Sequence, residues 1–189
     1  DWVSRAKISR DKRIHAYINT LGAVTGRMSS REPNIQQVHS DPRARALFIP
    51  RDGWVLVGSD LKGLELRMLA HYLYPFDNGA YAKEVCEGDI HTHNQKAMEL
   101  ESRNTAKTAI YCFLYGGGDE KFAKTINSST YKAKQTKNKL LSNIPGLKKL
   151  IENCRFDTLD KGYVKPFNWR PVYVRKEHAA LNTLLQSSG

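Results

Sequence analysis

The stretch that decides the reading is Arg103–Gly118, RNTAKTAIYCFLYGGG, in which Arg103, Lys107, Tyr111 and Tyr115 recur at every fourth residue. On a helix, a spacing of four keeps side chains on nearly one face, drifting slowly around the axis. Two cations followed by two aromatic rings therefore line roughly 18 Å of one helix. That order suits a molecule with phosphates at one end and a base at the other, as in a nucleoside triphosphate. Upstream, Trp54–Asp60 (WVLVGSD) reads as a short buried strand closing on a carboxylate, followed by LKGLELR.

Composition frames this signal. The 189 residues are enough for one or two domains with a sizeable core. A hydrophobic content of 40% with 26% charged residues marks a globular chain rather than a disordered one. No apolar run approaches the roughly 18 residues of a membrane span, and no secretory leader opens the sequence. Cys86, Cys112 and Cys154 are odd in number and lack CxxC spacing, so reduced thiols are expected and structural zinc is not. The expected setting is the cytoplasm, that of the host cell if the chain is phage-encoded. The net charge of +11 is uneven: from Lys121 to Arg155 there are nine basic residues against the single acid Glu152. Such a surplus is a candidate polyphosphate footprint, although lysine-rich helices also serve as plain solvated faces.

The order of elements is mixed. Residues 13–28 alternate apolar and polar positions (Ile14, Ala16, Ile18) and turn through residues 19–22, which predicts a hairpin. Residues 29–53 are polar, carry three prolines and predict an irregular crossing segment. Leu64–Leu73 has helical periodicity, expected to break at Pro75. Further helices are predicted near 78–86, 91–99, 103–115, 119–127, 131–142 and 146–157. A strand pair is predicted at Tyr163–Phe167 and Val172–Arg175, then a last helix from about 177. The predicted class is α+β, with helices crowded in the middle and no internal repeat.

Four segments together resemble family A DNA polymerases, the group containing bacterial DNA polymerase I. DLKGLELR (Asp60–Arg67) resembles the family's first catalytic motif. The ladder with Gly116 resembles its nucleotide-binding fingers helix. Thr25-Gly26-Arg27, with Pro33-Asn34, Gln36 and Gln37, is similar to a segment that touches the primer–template duplex. HAALNTLLQ (His178–Gln186) is similar to a later helix lining the minor groove. The phrases LGAVTGR, FDNGAYA, GDIHTHNQ and HAALNTLLQS resemble in particular the replicative enzymes of short-tailed phages. The resemblance implies an incomplete right-hand architecture. Residues 1–75 would form a partial palm with the duplex-contacting segment and the first catalytic motif. Residues 76–160 would form helical fingers, and 161–189 would return to the palm as a hairpin and a minor-groove helix.

The resemblance also implies roles, each with a plainer alternative. Asp60 is the expected catalytic carboxylate, holding Mg²⁺ with the backbone carbonyl of Leu61; the complete enzyme would use two ions. Its plainer reading is a helix N-cap after a strand. Glu65 is implied as a gate that crowds a ribose 2′-hydroxyl while bonding a tyrosine; otherwise it is a solvent-facing helix residue. Arg103 and Lys107 would meet the triphosphate as planar fork and point charge, with His91 as a third phosphate contact. Tyr111 would flank the incoming sugar and base, and Tyr115 would stack near the template position, where an aromatic stripe could instead be core. Arg27, Asn34, Gln36, His178, Asn182 and Gln186 are the implied DNA contacts. Donors there can test base-pair shape through purine N3 and pyrimidine O2 without reading sequence.

Two departures stand out. Cys112 occupies the position after the first ladder tyrosine, where the family usually has glycine. The family's His-Asp-Glu motif, which carries the second metal carboxylate, has no counterpart, because no His-Asp or His-Glu pair occurs in the sequence. The expected function is therefore template-directed DNA synthesis from deoxynucleoside triphosphates on primer–template DNA. A second polypeptide or further segment is expected to supply the rest of the palm. The competing readings are a non-catalytic, polymerase-derived DNA-binding module and a single-subunit RNA polymerase fragment. Glu65 and the aromatic Tyr111 count against the latter.

Overall fold

Helices dominate because the apolar residues beyond Gly63 recur at helical spacing and find one another. The computed structural model describes Arg10, Asp11 and residues 13–189, which divide into two units, one up to Lys62 and one from Gly63.

In the first unit, β1 (Tyr17–Asn19) pairs antiparallel with β2 (Ser29–Arg31), with Ile18 opposite Ser30. The Arg31 guanidinium lies 4.4 Å from the Tyr17 ring centroid, a cation–π contact across the pair. The hairpin exists, but its return strand lies in the stretch expected to be irregular, so residues 20–28 form a longer connection than the predicted turn. A 3₁₀ turn (Ile35–Gln37) and the short helix α1 (Pro42–Arg45) follow, each started by a side-chain cap, Asn34 and Asp41 respectively. Trp54–Asp60 corrects the prediction of a buried strand. Trp54, Val55, Leu56 and Val57 are 69–89% exposed, and no strand pairs with them among the described residues. A strand leaves its backbone groups unsatisfied until a neighbour arrives, so β-branched composition alone does not make one.

The second unit is a helical body: α2 (Leu64–Asp77), α3 (Ala80–Cys86), α4 (Ile90–Met98), α5 (Arg103–Leu114), α6 (Asp119–Thr125), α7 (Thr130–Asn143) and α8 (Leu147–Lys161). Next come β3 (Tyr163–Val164) and β4 (Val172–Tyr173), paired antiparallel, then a 3₁₀ turn (Glu177–Ala179) and α9 (Ala180–Ser188). Leu66, Leu69 and Leu73 of α2 join Ile110, Leu114, Phe122, Leu140, Leu147 and Leu185 in one buried core. Helices α4 and α5 pack together, α7 packs on α4, and α9 packs on α8 and α2.

Helix α2 outlasts its expected break. Pro75 lacks an N–H and so removes one bond from the last turn. The helix nevertheless reaches Asp77, and the left-handed Asn78 (φ 50°) closes it by donating its N–H to the Tyr74 carbonyl at 3.0 Å. Four buried apolar residues in this helix anchor it against that loss.

Candidate functional site

The ladder helix is defined at both ends by its own sequence. Ser102 caps α5 by accepting the Thr105 N–H. At the other end, the Gly117 N–H reaches the Cys112 carbonyl (2.8 Å) and the Gly116 N–H reaches Phe113 (2.9 Å), with Gly116 left-handed at φ 70°. This is the Schellman pattern, which needs a residue tolerant of positive φ. Gly117 is constrained by space instead: a Cβ there would lie 2.7 Å from the Cys112 carbonyl oxygen and 2.5 Å from its sulfur. Cys112, the departure noted above, is buried against this turn.

Ala106, Ala109, Ile110, Cys112 and Leu114 face inward, leaving Arg103, Lys107 and Tyr115 exposed and Tyr111 half-buried. The aromatic part of the stripe is continuous. The Tyr111 and Tyr115 ring centroids are 6.2 Å apart, and His91 of α4 stands 6.5 Å from Tyr111. The Tyr115 hydroxyl donates to Glu65 Oε1 at 3.2 Å, tying α5 to the first turn of α2. Burial, with the charge of Glu65 adding to it, raises the Tyr111 phenol above its ordinary range. Glu65, Tyr115, Tyr111 and His91 thus form one row.

The cationic end has a partner that the sequence reading missed. Arg103 meets Asp89 through two parallel bonds, Nε to Oδ2 at 2.7 Å and Nη2 to Oδ1 at 2.8 Å. Asp89 also caps α4, accepting the His91 N–H at 3.1 Å, the Thr92 N–H at 3.3 Å and the Thr92 hydroxyl at 2.8 Å. Arg103 foremost, and then Thr92, hold the Asp89 carboxyl well below the usual carboxylate range. The signal was available: an Asp directly before an amphipathic run is a helix-start mark.

The basic stretch divides into two groups. Lys137, mostly buried, donates to the Gly117 carbonyl (2.8 Å) and Asp119 Oδ1 (3.0 Å), bracing the turn after the ladder. Lys139 pairs with Glu99, and Asn143 donates to the Ala97 carbonyl at 3.0 Å, so α7 holds the end of α4. These two lysines are structural and leave the expected footprint smaller. Lys134, Lys148 and Arg155 remain exposed and line a cavity of about 550 Å³ that also includes Gly116 and His178. The His178 carbonyl would lie 3.1 Å from a Cβ at Gly116, so the 3₁₀ turn that leads into α9 abuts the end of the ladder. Asn182 and Gln186, one turn apart on α9, are half-buried.

The remaining predicted residues lie in the first unit. Asn34 accepts from Ser30 Oγ (2.9 Å) and the Gln36 N–H (3.2 Å), and Gln36 donates to the Met28 carbonyl at 3.2 Å. The Arg27 carbonyl accepts the Ala23 N–H at 3.1 Å, closing the loop that carries it. Asp60 and Leu61 are exposed. No group of three or more His, Cys, Asp or Glu able to hold a metal occurs among the described residues. No helix among them is long and apolar enough to cross a membrane.

Comparison with known proteins gives the family. The DNA-directed DNA polymerases of Enterobacteria phage T3 and Escherichia phage T7 are each 40% identical to this chain over 96% of its length. DNA polymerase I of Bacillus caldotenax is 29% identical over 94% of the chain and 23% of its own length. The POL domain of Pol1 from M. smegmatis, solved in complex with DNA primer-template and dNTP, superposes with a TM-score of 0.75. That match, at 24% identity, covers 99% of this chain and 37% of that one, and shows a shared fold. The chain spans 30% of the length of the two phage relatives. The comparisons lend no support to the expected second polypeptide. The model of DNA polymerase family A matches residues 3–189, and the chain belongs to that family.

Proposed function

We propose that this chain takes part in template-directed DNA synthesis, the transfer of a deoxynucleotide from its triphosphate to a primer 3′-hydroxyl. The observation that carries this reading is the row Glu65–Tyr115–Tyr111–His91 beside two cations on the same helix. In that reaction the 3′-oxygen attacks the α-phosphorus, the bond to pyrophosphate breaks, and the hydroxyl proton is lost.

Lys107 offers a point charge to the phosphates and Arg103 a planar fork, while His91 adds a third contact. Tyr111 lies against the sugar and base. The Tyr115 hydroxyl fixes the Glu65 carboxylate, which then crowds any 2′-hydroxyl and favours deoxyribonucleotides. Asp60 and the Leu61 carbonyl are the metal ligands of this reading. A single exposed carboxylate fits Mg²⁺, which binds through one or two carboxylates together with substrate phosphates. Two Mg²⁺ ions, when bound, stabilise the charge on the attacking and leaving oxygens. Arg27, Asn34, Gln36, His178, Asn182 and Gln186 are assigned to the duplex, and the cavity lined by Lys134, Lys148 and Arg155 to nucleic-acid phosphates. Residues 1–75 and 161–189 belong to the palm in this assignment, and 76–160 to the fingers.

A non-catalytic DNA-binding module is the second reading, and it is consistent with Asp60 standing outside any group of three or more His, Cys, Asp or Glu among the described residues. Equilibrium dialysis of the chain against a labelled deoxynucleoside triphosphate with Mg²⁺ separates the two. Saturable binding that Lys107→Ala weakens about 10- to 100-fold is expected of the synthetic role, the range for a lost charge-assisted bond. Absence of saturable binding up to millimolar nucleotide would leave only the second reading.

A further inference from the structure

We propose that Asp89 is a positioning residue for nucleotide binding: one carboxylate fixes both the direction of the Arg103 fork and the start of the helix that carries His91. The inference rests on the nucleotide-binding reading above and adds to it a residue that touches no substrate.

The geometry is specific. The carboxylate takes Nε–H and one Nη2–H of Arg103 at 2.7 and 2.8 Å, a side-on, two-point grip. Both hydrogens on Nη1 and the second on Nη2 remain for other acceptors, and they lie at the far end of the fork. A guanidinium held along one edge cannot rotate away from what its other edge addresses, so its planar donors stay aimed. The same two oxygens accept the His91 and Thr92 N–H groups and the Thr92 hydroxyl. Residues 89, 91 and 103 are thereby locked into one unit although they stand on two helices. Arg103 and Asp89 are each about half exposed, so the pair is a poor source of stability by itself. Its value is orientation of groups whose ordering entropy would otherwise be spent when nucleotide arrives. Lys107 has no such brace among the bonds of the described residues and offers an exposed point charge.

A double-mutant cycle tests this, using binding of a deoxynucleoside triphosphate to the full chain as the readout. Asp89→Asn keeps an efficient helix cap but not a two-point carboxylate, and Asp89→Ser keeps the cap if the first variant folds poorly. Each is expected to weaken triphosphate binding about 5- to 20-fold in the parent chain, and to change nothing once Arg103→Ala is present. Equal weakening in both backgrounds would show a general structural effect and overturn the proposal. So would tighter binding in Asp89→Asn, which would make Asp89 a competitor of the phosphate instead of a brace. Lys107→Ala is the control for the underlying reading. If the parent binds and Lys107→Ala weakens binding while Asp89→Asn does not, the positioning role fails and nucleotide binding stands. If the parent does not bind nucleotide at all, both fall.

Discussion

The segment up to Lys62 and the helical body from Gly63 differ in where their backbone hydrogen bonds go. In the body each helix satisfies its own backbone and presents one apolar stripe to a common core of leucines, Ile110 and Phe122. In the earlier segment the regular pairing described is a three-residue hairpin, and Trp54–Val57 stand exposed. A helix is a local solution to burying polar backbone, whereas a strand is a solution only in company. The stability of this chain is therefore concentrated in one unit, while its expected metal carboxylate, Asp60, belongs to the other.

Core truncation is the largest test of that contrast. Phe122→Ala or Leu69→Ala, both at fully buried positions, should cost about 3–5 kcal/mol in urea unfolding followed by far-ultraviolet circular dichroism. Leu56→Ala, at 69% exposure, should stay within about 0.5 kcal/mol. Comparable losses at both sites would erase the distinction between the units. A middle-sized effect is expected at the end of the ladder. Gly117→Ala should destabilise by about 1–3 kcal/mol, because its Cβ would overlap the Cys112 carbonyl and sulfur. Adding Cys112→Ala should recover only part of this, since the carbonyl stays; full recovery would show that the sulfur alone is the obstacle.

The smallest effect reads burial through chemistry. Burial, helped by Asp157, pushes the Cys154 thiol from an ordinary 9.0 up to about 12. A thiol whose proton is held more tightly when folded contributes stability below about pH 9 and loses it as pH rises toward 12. Stability should thus slope downward through that interval, less steeply in Cys154→Ala. Iodoacetamide at pH 8 should label the exposed Cys86 and spare Cys154 until the body unfolds. Labelling of Cys154 at the same rate as Cys86 would mean that the body opens readily.

Local signals were read well from the sequence and partnered ones poorly. The ladder helix is legible because its four-residue period and the glycines that follow it lie within one short stretch. The break expected at Pro75 does not occur, since four buried apolar residues outweigh one missing N–H in a last turn. Trp54–Asp60 was misread for the opposite reason: its composition favours a strand, but pairing depends on residues elsewhere in the chain. Lys137 and Lys139 look like polyphosphate ligands because sequence records charge without direction; Lys137 turns inward to the Gly117 carbonyl and Asp119, and Lys139 pairs with Glu99 at the surface. The cap made by Asp89 is legible in the sequence, but its pairing with Arg103 is not, because that partner lies on another helix where no spacing rule reaches. Within the site, Glu65, His91, Tyr111 and Tyr115 were named from the sequence and stand in one row in the structure.

The Tyr72 hydroxyl joins the body's first helix to its last, bonding Ser188 Oγ at 2.6 Å and accepting the Phe167 N–H at 3.0 Å. Those partners lie 116 and 95 residues away along the chain. During synthesis, α2 can coil as soon as it leaves the ribosome, but this clasp waits until α9 has been made. Long-range closures of this kind slow folding relative to a bundle built from neighbouring helices. Closing the seam at Tyr72 therefore belongs to the end of the body's synthesis and not to its start.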